Sequence, residues 1–202
     1  RLGAAGRPLE QTSFRVMDED GSRTLGIGVK GVLWIRGPQV MMGYFKNPEA
    51  TARVLKDGWF NSGDLAALTD QGDVVICGRM KDTLVLRGGE NVEPEVIEAE
   101  LLRSPIIADA IVVGHAQKHL AAIVVPNGDA VAAMMPEIDA TADPQALTSP
   151  AVERLVHREI QRLLSSERGW RVFERVPKIK LLAQPFSIED GTLTPTLKKR
   201  RH

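Results

Sequence analysis

Through its first 80 residues the chain sets its apolar positions in short runs, broken by glycine, proline and aspartate. Val32-Leu33-Trp34-Ile35 is continuously apolar between Gly31 and Gly37-Pro38, the pattern of a buried strand. Leu65–Leu68 and Val74–Cys77 flank Asp70-Gln71-Gly72-Asp73, which predicts a hairpin with a longer loop. Asn47-Pro48-Glu49-Ala50-Thr51 predicts a short helix, with Asn47 as N-cap and Pro48 at the first helical position. Residues 1–80 thus read as a small β-rich subdomain.

After Lys81 the pattern turns to mixed strands and helices. Thr83–Leu86 predicts a strand, Gly88-Gly89-Glu90-Asn91 a turn, and Pro94 the start of a helix running to about Arg103. Ser104-Pro105 ends that helix, because a residue before proline is pushed out of helical geometry. Ala110–Val113 and Ala121–Val125 predict two strands paired antiparallel, and Val176–Leu182 a third. Ser149-Pro150 opens an amphipathic helix, with Val152, Leu155, Val156, Ile160, Leu163 and Leu164 at helical spacing. Asn127–Thr148, rich in Ala, Asp and Pro, reads as a surface helix and loop. The fold class is α+β: residues 1–80 β-rich and 81–202 α+β, with the boundary at residues 80–82.

Composition narrows the function only by exclusion. The 26 basic and 26 acidic residues cancel, so bulk charge selects for neither nucleic acid nor an anionic membrane. Cys77 is the single cysteine, which rules out an internal disulfide and suits a reducing cytosol. No apolar run approaches the ~20 residues of a membrane helix. The four histidines show no metal-ligand spacing, and His115 and His119 read as structural. The expected setting is cytoplasmic, with peripheral membrane contact left open.

Three segments concentrate the chemistry. The first is Gly58-Trp59-Phe60-Asn61-Ser62-Gly63-Asp64-Leu65-Ala66. The second is Gly78-Arg79-Met80-Lys81-Asp82-Thr83 through Leu86-Arg87-Gly88-Gly89-Glu90-Asn91-Val92-Glu93, and the third Leu193-Thr194-Pro195-Thr196-Leu197-Lys198. On residue type alone each has a bland reading. Asp64 would be a turn aspartate, Arg79 a surface ion-pair partner and Lys81 a solvated lysine. The glycine pair would be a plain turn, and Lys198-Lys199-Arg200-Arg201 a solvated basic tail.

In this order the three segments resemble the signature motifs of the adenylate-forming superfamily, which holds acyl-CoA synthetases, luciferases and peptide-synthetase adenylation domains. The resemblance covers essentially the whole chain. Such enzymes also carry an upstream Ser/Thr/Gly-rich phosphate loop and a Tyr-Gly-x-Thr-Glu-like segment. Neither occurs here, so the resemblance implies the C-terminal part of a longer enzyme, with Gly3-Ala4-Ala5-Gly6-Arg7-Pro8 falling just after them.

The resemblance also implies roles. Asp64 holds the ribose of ATP and of the acyl-adenylate, since a carboxylate can accept from both ribose hydroxyls. Arg79 meets the ribose or phosphate side of the nucleotide, Lys81 is the hinge of the C-terminal domain, and Gly88 and Gly89 line the coenzyme A channel. Some relatives carry a lysine where this chain has Val85 and an aromatic residue where it has Asn91. Lys198 is the catalytic lysine, offsetting the repulsion as a carboxylate attacks the α-phosphate. Lys199, Arg200 and Arg201 keep the reading of a solvated tail.

The tail from Phe173 to Lys198 is most similar to long-chain fatty acid–CoA ligases. That implies ATP, coenzyme A and a fatty acid as substrates, Mg2+ arriving with ATP on ligands outside this chain, and the rest of the adenylation domain as partner. Alone, the chain is expected to be inactive. Two alternatives stay open: a fatty acyl-AMP ligase that loads a carrier protein, and a non-catalytic binding module of the same fold.

Overall fold

The structure, a computed structural model, describes residues 4–138 and 143–201. Gly3 of the Gly3–Pro8 stretch and residues 139–142 of the predicted surface loop lie outside the described residues. The chain divides into two compact units, the first ending at Thr83 and the second beginning at Leu84.

The first unit is β-rich, as its short apolar runs predict. It contains β1 (Ser13–Met17), β2 (Gly31–Arg36), a short helix α1 (Pro48–Val54), β3 (Leu55–Lys56), β4 (Trp59–Leu68) and β5 (Val74–Arg79). All pairings are antiparallel, in the order β1-β2-β4-β3, and β5 pairs with the later part of β4. Asn47 caps α1 through its side-chain oxygen, which accepts from the Ala50 N–H, and Pro48 occupies the first turn. The unbroken run in β2 has a direct cause, because the sheet buries side chains on both faces. Val32 and Trp34 pack with Met17 and Leu65 on one side, and Leu33 packs with Ala66 and Val74 on the other.

In the second unit β6 (Leu84–Val85) and β7 (Asn91–Val92) form a two-stranded ladder that leads into α2 (Pro94–Leu101). Next come β8 (Ile107–Val113), β9 (Ala121–Pro126), α3 (Gly128–Met134), α4 (Pro150–Leu163) and β10 (Lys178–Leu181). β8 and β9 pair antiparallel, as predicted, and β10 lies parallel to β9. Parallel neighbours need a long crossover, and the segment carrying α3 and α4 supplies it. One face of this sheet buries Ala110, Val112, Ala122 and Val124 in a core shared with Ile97 and Leu101 of α2 and Val152, Val156, Ile160 and Leu163 of α4. Full burial of such aliphatic side chains contributes about 1.5–3 kcal/mol each, so α4 is held by its stripe rather than by propensity. The opposite face carries Ile111 and Val125 and is covered by Phe186 of the tail. α2 stops at Leu101, two residues before the predicted end; Arg103 and Ser104 continue in tight turns back to Glu100 and Leu101.

Candidate active-site residues

The first motif forms an irregular strand, not the turn that a Gly-Asp pair suggests. Within β4, Asn61 lies opposite Trp34 and Leu65 opposite Val32, so Ser62, Gly63 and Asp64 face Leu33 alone. Such a bulge leaves backbone groups without ladder partners, and the motif's own side chains satisfy them. Ser62 Oγ donates to the Leu33 carbonyl at 2.8 Å and accepts from the Asp64 N–H at 3.1 Å. Asn61 Oδ1 accepts from the Gly63 N–H at 2.9 Å. Gly63 sits at φ +73°, where an added Cβ would meet nothing within 4 Å. Glycine is therefore needed there for backbone conformation and not for space.

The bulge sets the direction of Asp64. On the other edge of β4, Asp64 lies opposite Arg79 at the end of β5, and Arg79 Nε sits 3.1 Å from Asp64 Oδ1. About half of the Arg79 side chain and a quarter of that of Asp64 stay open to solvent. An acceptor and a fork of donors thus stand together on an accessible strand end, a pairing suited to hydroxyl and phosphate oxygens.

Arg79 leads into a single 3-10 turn, Met80–Asp82, that holds an exposed Lys81. The Thr83 N–H and hydroxyl both donate to the Arg79 carbonyl at 3.1 Å, closing the turn immediately before the second unit begins. Short 3-10 turns of this kind commonly serve as connectors between elements.

Gly88 and Gly89 lie at the exposed tip of the β6–β7 ladder. The Gly89 N–H donates to the Leu86 carbonyl and the Leu86 N–H to the Glu90 carbonyl, both at 2.9 Å. Gly89 takes φ +89°. The loop after β8 braces this ladder: the Ala116 N–H donates to the Val85 carbonyl, the Arg87 N–H to the Gln117 carbonyl, and the Val85 N–H to His115 Nδ1 at 3.4 Å.

Lys198 stands on a hairpin turn made by Thr194-Pro195-Thr196-Leu197. The Leu197 N–H donates to the Thr194 carbonyl and the Thr194 N–H to the Lys198 carbonyl, both at 2.8 Å. Thr194 Oγ1 accepts from the Lys198 N–H at 3.0 Å. Leu197, a non-glycine residue at φ +58°, is exposed, as is Lys198. Asp190 stiffens the approach by accepting from the Thr192 N–H and hydroxyl and from the Ser187 N–H. Those donors, that of Thr192 foremost, hold its carboxyl below the usual carboxylate range.

The predicted solvated tail is corrected here. From Lys198 to Arg201 the residues alternate out and in, the period of an extended chain. Lys198 and Arg200 face solvent. Lys199 and Arg201 turn inward to Glu98 of α2, which has only 4% of its surface exposed. Arg201 Nη2 donates to both Glu98 oxygens at 3.0 Å, and Lys199 Nζ reaches Asp109 at 2.7 Å and the Ala110 carbonyl at 2.6 Å. The sequence held a signal for this cluster. Pro94, Ile97, Glu98 and Leu101 form one helical stripe, and an acid on a core-facing stripe demands a buried partner. Among the described residues no group of three or more His, Cys, Asp or Glu is placed to hold a metal ion.

Residues 1–45 match the family described as AMP-binding enzyme, and residues 81–162 match its C-terminal domain. Over 99% of its length the chain is 37% identical to a probable acyl-activating enzyme 16, chloroplastic, of Arabidopsis thaliana. The chain belongs to the AMP-binding enzyme family. It is also 36% identical to the chloroplastic long-chain fatty acid–acyl-carrier-protein ligase AEE15 of the same plant, over 99% of the chain and 27% of that protein. With long-chain fatty acid–CoA ligase FadD15 of Mycobacterium tuberculosis it shares 30% identity over 100% of the chain and 32% of that protein. The chain thus spans about three-tenths of the length of these relatives. The fold agrees with that of o-succinylbenzoate CoA synthetase (MenE) from Bacillus subtilis in complex with its acyl-adenylate intermediate, OSB-AMP. There the TM-score is 0.74 at 23% identity, over 100% of this chain and 35% of that one.

Proposed function

We propose that this chain is the C-terminal portion of an ATP-dependent ligase that activates long-chain fatty acids and passes them to coenzyme A. The observation that carries the reading is the match along the full chain to long-chain fatty acid ligases, in a chain that presents Lys198 on an exposed, internally anchored turn.

In the first half-reaction the fatty carboxylate attacks the α-phosphorus of ATP, and pyrophosphate leaves. Two anions meet and charge builds on the phosphorus oxygens; the Lys198 ammonium lies against both and offsets that charge where it develops. Asp64 accepts from the ribose hydroxyls, with Arg79 beside it on the nucleotide. Among the described residues no group of three or more acidic, histidine or cysteine side chains is placed to hold the Mg2+ expected to accompany ATP. In the second half-reaction the coenzyme A thiol attacks the acyl carbon and AMP leaves. Lys198 then has no further role, and the second unit turns about Lys81 to bring the Gly88–Gly89 tip to the thiol channel. A specific observation favours a second acceptor. Identity is 36% to an acyl-carrier-protein ligase and 30% to FadD15, so a carrier-protein thiol is the rival to coenzyme A.

The test is Lys198→Ala in the full-length enzyme, with the two half-reactions assayed apart. Adenylation should fall about 100-fold or more, while thioester formation from supplied acyl-adenylate should stay near the wild-type rate. Equal losses in both steps would refute the division of labour.

A further inference from the structure

The inward-facing half of the basic tail points to a device that aims Lys198. Glu98 is buried on α2 and receives Arg201 through both oxygens, at 3.0 Å each, with Lys199 3.5 Å away. A further bond to Glu98 comes from the Val112 N–H of β8 at 2.8 Å, which fixes the carboxylate against the sheet. Lys199 is held by Asp109 and by the Ala110 carbonyl of the same strand. Two acids and two bases therefore close a compact cluster directly after Lys198. Upstream, Phe186 is seated on Ile111 and Val125 of the sheet, and Asp190 and Thr192 wire the intervening turn. The Lys198 turn is thus tethered on both sides to the β8–β9 sheet, and among the described residues the hydrogen bonds of Thr194–Lys198 are local to the turn. A flexible lysine stem reaches a reacting phosphate only if the backbone beneath it is held, because misplacement by about 1 Å can cost about 100-fold in rate.

We infer that Glu98, acting through Arg201 and Lys199, is a positioning residue for Lys198, setting the register and reach of its turn for the adenylation half-reaction alone. Alternation supplies the geometry. With Arg201 and Lys199 pinned inward, Lys198 is forced outward, and a slip of one residue would bury it and expose its neighbour. The inference rests on Lys198 serving adenylation, as proposed above.

The experiment uses the full-length enzyme in five forms: wild type, Lys198→Ala, Arg201→Met, Arg201→Lys and the double variant of Lys198→Ala with Arg201→Met. Adenylation is read as pyrophosphate release from ATP and a long-chain fatty acid, and thioester formation from synthetic acyl-adenylate plus coenzyme A. Arg201→Met should lower adenylation about 10- to 100-fold and leave thioester formation within about threefold of wild type. The double variant should adenylate no more slowly than Lys198→Ala, because an unaimed lysine and an absent one are equivalent. Arg201→Lys restores one donor to Glu98 without the fork and should lie between. It carries the same comparison if the methionine form does not fold. Equal losses in both half-reactions would assign Arg201 to fold stability and overturn the inference, as would wild-type adenylation by Arg201→Met. If Lys198→Ala adenylates normally, the reading of Lys198 fails first and the positioning role falls with it.

Discussion

Replacing Ser62 by alanine removes a single hydroxyl, yet the bulge in β4 depends on that hydroxyl twice. Ser62 Oγ donates to the Leu33 carbonyl at 2.8 Å and accepts from the Asp64 N–H at 3.1 Å. Leu33 is buried, with 4% of its surface exposed, so water does not readily replace the lost donor. A typical intramolecular hydrogen bond contributes about 1 kcal/mol net, and a buried group left unsatisfied costs about 1–3 kcal/mol. Two bonds, one with a buried partner, give a loss of about 2–3 kcal/mol for Ser62→Ala. With a urea slope of about 2 kcal/mol per molar, the unfolding midpoint should fall by roughly 1–1.5 M. Trp34, opposite Asn61, and Trp59, in β4 itself, report on this unit by fluorescence. Ser62→Thr restores the hydroxyl on a residue that suits a strand and should recover most of the loss. An alanine variant that unfolds at the wild-type midpoint would refute the reasoning, as would a threonine variant as unstable as alanine.

Two more predictions concern the second unit. Ile160→Ala empties a fully buried position on α4 and should cost about 2–5 kcal/mol in urea unfolding followed by Trp170, which packs against the same core; a loss below 1 kcal/mol would mean the core collapses around the gap. Glu159 accepts from Arg162 and from the buried Ser104, and the Arg162 bond foremost, working against partial burial, holds its carboxyl below the ordinary 4.5. A carboxyl depressed in the folded state stabilises above its unfolded pKa and loses that contribution as pH falls through the folded one. The stability gap between wild type and Glu159→Gln should therefore be full at pH 6 and close progressively below about pH 4.5, and a gap that widens in acid would contradict the assignment.

Elements set by neighbours in sequence were legible. The α4 stripe, Pro150 in its first turn and the Asn47 cap depend on residues within a turn or two, and all took the predicted form. β8 and β9 follow from two apolar runs with a short connection. What sequence did not disclose depends on partners far along the chain. Glu98 meets Lys199 and Arg201 across 101 and 103 positions, and a basic run looks the same whether it is solvated or pinned. Asp64 beside Gly63 suggests a turn, whereas Ser62 and Asn61 supply the bonds that let the strand carry a bulge instead. The parallel docking of β10 on β9 likewise depends on where the crossover returns, which local pattern does not encode.

The measurement that bears most directly on the central claim is pyrophosphate release by the full-length enzyme over a series of fatty acids. It should be run with ATP and no acceptor, with coenzyme A, and with an acyl carrier protein. The account predicts turnover with long-chain acids that is driven by coenzyme A; turnover driven only by the carrier protein would move the acceptor to the rival reading. Pyrophosphate from no acid, with any acceptor, would contradict the account.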